Sequence, residues 1–173
     1  MPQVILGIDP GVSETGWAVL CAGDAQDVRL KASGLIRTTP KQDLPERLCL
    51  IHREIARLIE CHRPQAVAVE EMFFLMAAHT IRATLQARGV VLLAAAQAGC
   101  PVSEHNPRAV KAALTGSGSA DKAQMQRVVS KALGLRDLLR PDDVADAAAI
   151  ALCHWRRGRF KRLKILEMHG GRS

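Results

Sequence analysis

The chain has 173 residues, about one domain, which excludes a multidomain machine. Hydrophobic residues make up 48% and charged residues 24%, as in ordinary globular proteins, so disorder over most of the chain is not expected. The net charge is +7, with nine Lys or Arg against three acids in 74–140 and seven against one in 153–173. The stretches 1–73 and 141–152 are net acidic, a segregation that suits a polyanionic partner and a cation-binding centre.

Cysteine and aromatic usage narrows the choice further. Two Trp, three Phe and no Tyr argue against an aromatic platform for single-stranded bases. Five cysteines without a C-x-x-C spacing predict free thiols in a reducing cytoplasm, not a zinc site or a disulfide scaffold. Because there is no 18-residue apolar run and no basic leader, we expect neither a membrane span nor a signal peptide.

The hydrophobic pattern changes period several times along the chain. It predicts strands at 4–9, 16–22, 28–38, 65–71 and 101–106, and helices from 44 to before Pro64 and at 79–98, 107–115, 120–133 and 142–157. Ser119 is expected to cap the fourth helix and Gly134 to end it. This order predicts an α/β sheet covered by helices, a domain over 1–157, and a basic tail over 158–173 that the sequence allows to be disordered.

Acidic residues end two of the apolar strand patterns. Asp9 ends the first, where a charge is costly unless it is paired, although it could simply cap the turn at Pro10 and Gly11. Open α/β sheets place their sites at the carboxyl ends of strands, which favours a functional role. Glu70 and Glu71 end the second pattern. Consecutive strand residues face opposite sides, so only one of them shares the side of Asp9, and periodicity does not choose between them.

Two more acids lie in the last helix, which is apolar nearly all round over 144–152 and is therefore expected to be buried. Asp143 and Asp146 are three residues apart and share a helix face. Close carboxylates in a buried setting repel each other unless a cation lies between them. Asp142 and Asp143 could instead be first-turn acids favoured by the helix dipole, but Asp146 lies a turn deeper.

Four acids without a His or Cys ligand set are the oxygen donors that a hard divalent cation such as Mg²⁺ prefers. Two such ions in one site activate a water and stabilise the leaving oxygen of a phosphodiester. The sequence therefore indicates metal-dependent phosphodiester hydrolysis, with two Mg²⁺ in each active site and Mn²⁺ as a substitute.

Five short segments occur in order over residues 4–155. They are Ile8-Asp9-Pro10-Gly11 with Thr15-Gly16, Val69-Glu70-Glu71-Met72-Phe73-Phe74, Gln86-Ala87-Arg88-Gly89, Thr115-Gly116-Ser117-Gly118-Ser119-Ala120-Asp121-Lys122, and Asp142-Asp143-Val144-Ala145-Asp146-Ala147. Together they resemble the RuvC-type Holliday-junction resolvases. The resemblance implies an RNase H-like mixed five-stranded sheet flanked by helices. It also implies a metal-dependent endonuclease that resolves four-way DNA junctions by paired symmetric nicks during recombination and repair.

The resemblance also assigns site residues. The family's acidic positions match Asp9, Glu70, Asp143 and Asp146, as catalytic residues and metal ligands, which selects Glu70 over Glu71.

DNA contacts are implied at Phe73, Arg88, Lys111 and Lys122, and Lys122 is also counted among the catalytic residues. Both lysines flank the Gly/Ser loop 116–119 in the basic central stretch, where phosphates can approach the backbone. The alternatives are solvated surface lysines and, for Phe73, core packing.

The resemblance implies two protein partners, a second copy of this chain and the RuvA–RuvB branch-migration complex. A helix face with small residues could form the homodimer interface, although packing on the chain's own sheet is the alternative; this face comprises Ile81, Leu85, Gly89, Leu92 and Ala96. The basic tail is expected to add nonspecific attraction to phosphates.

Two other functional classes share features with this sequence. Asp9-Pro10-Gly11 with Thr15-Gly16 imitates the phosphate-binding hairpin of sugar-kinase or actin-like ATPases. Those proteins close two such domains on a nucleotide, and 173 residues supply one. A noncatalytic nucleic-acid-binding module is the third class, but it would not need all four acids.

Overall fold

The protein's architecture comes from a computed structural model that describes residues 2–23, 27–71 and 78–170. The strands are β1 (Gln3–Asp9), β2 (Glu14–Ala22), β3 (Val28–Arg37), β4 (Ala66–Glu70) and β5 (Val102–His105). The helices are α1 (Leu44–His62), α2 (Ala78–Gln97), α3 (Pro107–Thr115), α4 (Lys122–Ala132) and α5 (Asp142–Gly170). This order confirms the predicted α/β fold with a five-stranded sheet.

The strands form one mixed sheet in the order β3-β2-β1-β4-β5. The β1–β2 and β2–β3 pairs are antiparallel, whereas β1–β4 and β4–β5 are parallel. The carboxyl ends of β1, β4 and β5 therefore meet at one edge of the sheet. Ile8 pairs with Val69 there, and Glu70 pairs with His105 on the next strand.

Two apolar cores cover the two faces of the sheet. Ile5 and Ala68 belong to the core that contains α3, α4 and α5, whereas Leu6 and Val67 belong to the core that contains α1 and α2. Neighbouring strand residues thus enter opposite cores, as the two-residue period of a strand requires. Because both faces are covered, the central strands are apolar in nearly every position, which explains their continuous hydrophobic runs.

Helix α5 lies unusually close to the sheet at two glycines. A Cβ at Gly7 of β1 would lie 2.1 Å from the carbonyl oxygen of Ala147, and a Cβ at Gly16 of β2 would lie 2.0 Å from that of Asp143. Neither position has room for a larger residue. These glycines let the first turns of α5 lie directly on the strands that carry Asp9 and its partner in the register, Gly16.

The residue that caps α4 differs from the prediction, whereas the residue predicted to end this helix agrees with it. Asp121, not Ser119, caps α4, because its side chain accepts a hydrogen bond of 2.7 Å from the backbone N–H of Gln124. Ser119 instead lies 3.0 Å from the hydroxyl of Ser117. Gly134 has the left-handed φ of 67° expected after a helix end.

Helix α5 continues to Gly170 instead of ending at 157. Arg, Lys and Leu, all good helix formers, dominate the sequence after Gly158, and one glycine weakens a helix without necessarily ending it. The division into a domain over 1–157 and a tail over 158–173 stays a prediction. Over the described residues, none of the helices is both long enough and apolar enough to cross a membrane.

Candidate active site

Asp9 and Glu70 lie side by side at the carboxyl edge of the sheet. They directly follow Ile8 and Val69, the last paired residues of the parallel strands β1 and β4. Strand alternation puts Asp9 on the same face as Ile5, which packs in the core under α5. Both acids are half-buried, so the sheet holds two carboxylates at the foot of the helix.

The same alternation distinguishes Glu70 from Glu71. Glu70 shares the face of Ala68, which also packs in the core under α5. Glu71 is exposed just beyond the strand, and its backbone N–H donates a 2.8 Å hydrogen bond to the carbonyl of His105. The structure therefore brings Glu70, and not Glu71, to the side of Asp9.

The remaining two carboxylates come from the first turns of α5. Asp143 lies over Gly16, because its own Cβ is 2.9 Å from the Cβ position that a larger residue would occupy there. Asp146 follows one turn later and, like Asp143, is half-buried. Since Gly16 pairs with Asp9 across the β1–β2 hairpin, the helix delivers its acids above the acid of β1.

The electrostatics show that the four acids influence one another. Burial, followed by the charges of Glu70, Asp146 and Asp143, raises the pKa of Asp9 to about 8. Burial also raises the pKa of Glu70, and the charge of Asp146 raises it further. For Asp146, burial again has the largest effect on the raised pKa. The charges of Glu70, Asp143 and Asp146 therefore make ionisation of neighbouring acids less favourable.

Glu14 is a fifth acid beside this group. After burial, the charge of Glu14 is the largest influence that raises the pKa of Asp143. Arg37 lies 3.0 Å from Glu14 on the neighbouring strand β3 and balances its charge. No local sequence pattern marks Glu14, because strand pairing across the sheet is what brings it to α5.

The four carboxylates form an all-oxygen donor set that fits a hard divalent cation. Every one of them has a raised pKa that a bound cation would lower. The side chains do not form a closed ligand cage, since no three His, Cys, Asp or Glu among the described residues are grouped tightly enough to hold an ion as they stand. Ligation would therefore draw the carboxylates together.

Two lysines bring positive charge to the same place. Lys122, at the start of α4, lowers the pKa values of Asp9, Asp143 and Asp146 against the effect of burial. Lys111, on α3, does the same for Glu70 and Asp146. The structure thus brings both predicted lysines to the carboxylates, from two different helices.

Comparison with known proteins identifies the fold and the family. The family model described as "Crossover junction endodeoxyribonuclease RuvC" matches residues 5–154. A protein of that name from Endomicrobium trichonymphae is 46% identical over 88% of this chain and 80% of its own length. One from Roseiflexus sp. is 48% identical over 86% of this chain and 88% of its own. The chain belongs to the RuvC family.

Solved structures agree with this assignment. Thermus thermophilus RuvC in complex with a Holliday junction substrate is 38% identical, with a TM-score of 0.87 over 92% of this chain and 96% of that chain. The yeast mitochondrial Holliday junction resolvase has a TM-score of 0.66 at 14% identity, which shows a shared fold. The RNase H-like architecture is confirmed.

As a RuvC family member, the protein is a crossover junction endodeoxyribonuclease that depends on a divalent metal and acts in DNA recombination and repair. The protein is therefore neither a sugar-kinase or actin-like ATPase nor a noncatalytic binding module.

Arg88, one of the residues expected to contact DNA, is not part of the carboxylate group. Arg88 lies on α2, on the other side of the sheet, where its side chain is 14% exposed and forms an ion pair with Glu104 of β5. Phe73 lies outside the described residues.

Asp142 makes contacts with α4 that no local sequence pattern indicates. Its Oδ2 is 3.5 Å from Nζ of Lys122, and its Oδ1 accepts a 2.6 Å hydrogen bond from Nε2 of Gln126. Lys122 and Gln126 are four residues apart and share a face of α4. In this RuvC family member, Asp142 therefore ties the start of α4, including Lys122, to the start of α5.

Proposed function

We propose that Asp9, Glu70, Asp143 and Asp146 hold two Mg²⁺ ions, which Mn²⁺ can replace, for hydrolysis of phosphodiesters in a four-way DNA junction. The observation that carries this proposal is the raised pKa of Asp9, about 8, at a strand end beside three further carboxylates. Such mutual repulsion destabilises a metal-free site and is relieved by a divalent cation. When bound, the ions supply an activated water and stabilise the leaving oxygen.

The protein's contribution to this chemistry is to hold the ligands on rigid elements. Asp9 and Glu70 end two paired strands, so their spacing is fixed by the sheet. Asp143 and Asp146 belong to a helix that Gly7 and Gly16 keep in direct contact with that sheet. Small displacements of any of these elements would spread the ligands, because side-chain rotation corrects only part of a backbone shift.

Lys122 and Lys111 are proposed as phosphate-binding residues, with Lys122 also acting in catalysis. A scissile phosphate brings negative charge to a site that already holds four carboxylates. Ammonium groups that already lower the pKa values of these acids also offset the charge of the arriving phosphate. Lys122 is 73% exposed and can turn from Asp142 to a phosphate without losing buried contacts.

Arg88 and Phe73 remain proposed DNA contacts on the strength of the family resemblance. For Arg88, a contact with DNA would require the ion pair with Glu104 to open or to be shared. A variant with Arg88→Gln separates these roles, since a loss of stability without a loss of junction affinity would assign Arg88 to the fold.

A homodimer through α2 is proposed because this helix carries an exposed apolar stripe. Leu85 is 39% exposed and Leu93 is 52% exposed, and a Cβ at Gly89 would meet no atom within 4 Å. Ala96 is exposed and Leu92 is half-buried, so Leu92 turns partly away from this stripe. A two-fold dimer would present two active sites to a junction that is itself two-fold, which suits paired symmetric nicks.

We also propose a protein partner and a cellular location. The RuvA–RuvB complex is the proposed protein partner, from the family resemblance alone. A cytoplasmic location is supported by the five cysteines, all of which are free thiols.

Cleavage mapping on a synthetic mobile four-way junction tests the proposed function. Mg²⁺, Mn²⁺ and excess chelator are compared in parallel, with a linear duplex of the same sequence as the control substrate. We expect paired nicks at symmetric positions of the junction, in either metal and not in chelator, with little cutting of the duplex. Equal cutting of both substrates would contradict junction selectivity, and undiminished cutting in chelator would contradict metal dependence.

A further inference from the structure

A second group of polar side chains surrounds a pocket of about 340 Å³ where α5 crosses the edge strand β5. Its lining residues are Ser103, Glu104, His105, His154, Arg157 and Gly158. None of these belongs to the carboxylate group, yet the two are close. His105 pairs with Glu70 across β4 and β5, and adjacent strands are about 4.8 Å apart. The pocket therefore lies one strand beyond the active-site acids.

The hydrogen bonds in the pocket fix which groups carry protons. Nη1 of Arg157 is 3.5 Å from Nδ1 of His105, and Nε2 of His105 is 3.1 Å from Nδ1 of His154. A guanidinium only donates, so Nδ1 of His105 accepts and Nε2 carries the proton that is donated to His154. Burial, followed by the nearby His154 and Arg157, lowers the pKa of His105 to about 4. The pocket therefore holds the positive charge of Arg157 beside a neutral His105.

The charges around Arg157 favour an anion. Its guanidinium has five N–H donors, of which the contact with His105 uses one. Glu104 also lines the pocket, but its carboxylate is already paired with Arg88. The helix continues past the pocket to Gly170, and its sequence over 156–164 has six basic residues and no acid. The sequence around Arg157 is therefore strongly basic.

A metal ion is a poorer match for this pocket. Two imidazole nitrogens 3.1 Å apart could serve as two ligands. However, no third His, Cys, Asp or Glu joins them within the part of the chain that the structure describes. A planar guanidinium held by a histidine is instead an arrangement that recognises phosphate oxygens.

We propose that this pocket binds a backbone phosphate of the DNA strand that runs from the active site past the edge of β5, and that Arg157 contacts this phosphate. The proposal rests on the proposed junction-cleaving function and extends it to a contact outside the carboxylate group. His105 and His154 are positioning residues in this account, because they orient Arg157 from the floor of the pocket.

Salt-dependent junction binding in chelator tests this proposal without relying on cleavage. The variants are Arg157→Gln, which removes the charge, and Arg157→Lys, which keeps it. Arg53→Gln is the control, because Arg53 is exposed on α1 at the opposite face of the sheet. The dissociation constant of a labelled four-way junction is measured between about 50 and 200 mM salt, a range in which phosphate contacts dominate its change.

For Arg157→Gln we expect junction affinity to fall several-fold. The slope of the logarithm of the association constant against the logarithm of the salt concentration should become shallower by about 0.9, which corresponds to the loss of one phosphate contact. Arg157→Lys should keep the wild-type slope and lose part of the affinity, and Arg53→Gln should keep both. An unchanged slope in Arg157→Gln would overturn the proposal, as would a lowered melting temperature with unchanged binding. If the wild-type protein neither binds nor cuts junctions, the proposed function itself fails.

Discussion

Asp9 is the carboxylate whose ionisation depends most strongly on its surroundings. Its pKa is raised from 3.8 to about 8 by burial and by Glu70, Asp146 and Asp143. The folded metal-free protein therefore keeps a proton on Asp9 between about pH 4 and 8 that the unfolded chain has released. The contribution of Asp9 to the free energy of unfolding should therefore be most favourable below pH 4 and should be lost as pH rises to about 8.

Melting temperatures in chelator between pH 5 and 9 test this first prediction, with Asp9→Asn as the comparison. The wild-type melting temperature should fall relative to that of the variant as pH rises, by about 2–4 °C for each kcal/mol lost. Added Mg²⁺ should reduce the fall, because a cation offsets the ionised carboxylates. Parallel pH profiles for the two proteins would contradict the raised pKa.

Lys122→Ala distinguishes a catalytic role of Lys122 from a structural one. Because Lys122 is 73% exposed and its partner Asp142 is 52% exposed, their ion pair should contribute at most about 1 kcal/mol to stability. Lys122→Ala should therefore leave the melting temperature within a few degrees of wild type and lower the nicking rate at saturating junction by at least about tenfold. Lys131→Ala, at an exposed position at the other end of α4, is the control. A large loss of melting temperature with normal nicking would assign Lys122 a structural role.

The close packing of helix α5 on the sheet positions the acids that the helix carries. Gly7→Ala would place a Cβ against the carbonyl oxygen of Ala147 and the Cβ of Ala151, both closer than van der Waals contact. We expect about 1–3 kcal/mol of destabilisation and slower nicking, since the helix must move away from the sheet. Gly158→Ala is the control for stability, because its Cβ would meet nothing within 4 Å and a helical alanine stabilises. Equal denaturation midpoints for the two variants would contradict the close packing.

Local signals allowed some elements to be predicted residue by residue. Helix α3 was predicted at 107–115 and is found there, because its ends are marked in the sequence. Asn106 accepts hydrogen bonds from the backbone N–H groups of Arg108 and Ala109, Pro107 starts the helix, and Gly116 adopts a left-handed φ of 81° at its end. Each of these signals acts within a few residues of the boundary that it sets.

Other features depend on contacts between distant segments and could not be predicted from local patterns. The sheet register distinguishes Glu70 from Glu71. Hydrophobic periodicity leaves both open, and from the sequence only the family resemblance selects Glu70. The ion pair between Arg88 and Glu104 joins α2 to β5. Gly16 in a strand is a local sign of close packing, but the sequence does not show that α5 is the neighbour.

The whole molecule combines a carboxylate group, basic residues that flank it and an apolar stripe on α2. Leu93→Glu should convert a dimer to a monomer, because Leu93 is the most exposed large hydrophobic residue named on that stripe, at 52%. Leu44→Glu is the control, since Leu44 is 37% exposed at the start of α1. Sedimentation or light scattering measures the mass, and junction cleavage should change from paired to uncoupled nicks. A dimer that survives Leu93→Glu would contradict an interface centred on this residue.

Asp146→Asn tests whether the four carboxylates form a divalent-metal site for phosphodiester cleavage. Asn keeps the volume of the side chain and one oxygen but removes a charge that would face the metal. The nicking rate on a four-way junction should fall by several powers of ten, since several kcal/mol of transition-state stabilisation are lost at about 1.36 kcal/mol per tenfold. Junction affinity in chelator should hold or improve, and the metal-free melting temperature should hold or rise as carboxylate repulsion is relieved.

The control is Asp137→Asn, which changes an exposed acid before α5 and should leave nicking unchanged. Nicking by Asp146→Asn within about tenfold of wild type would contradict the metal site on this helix.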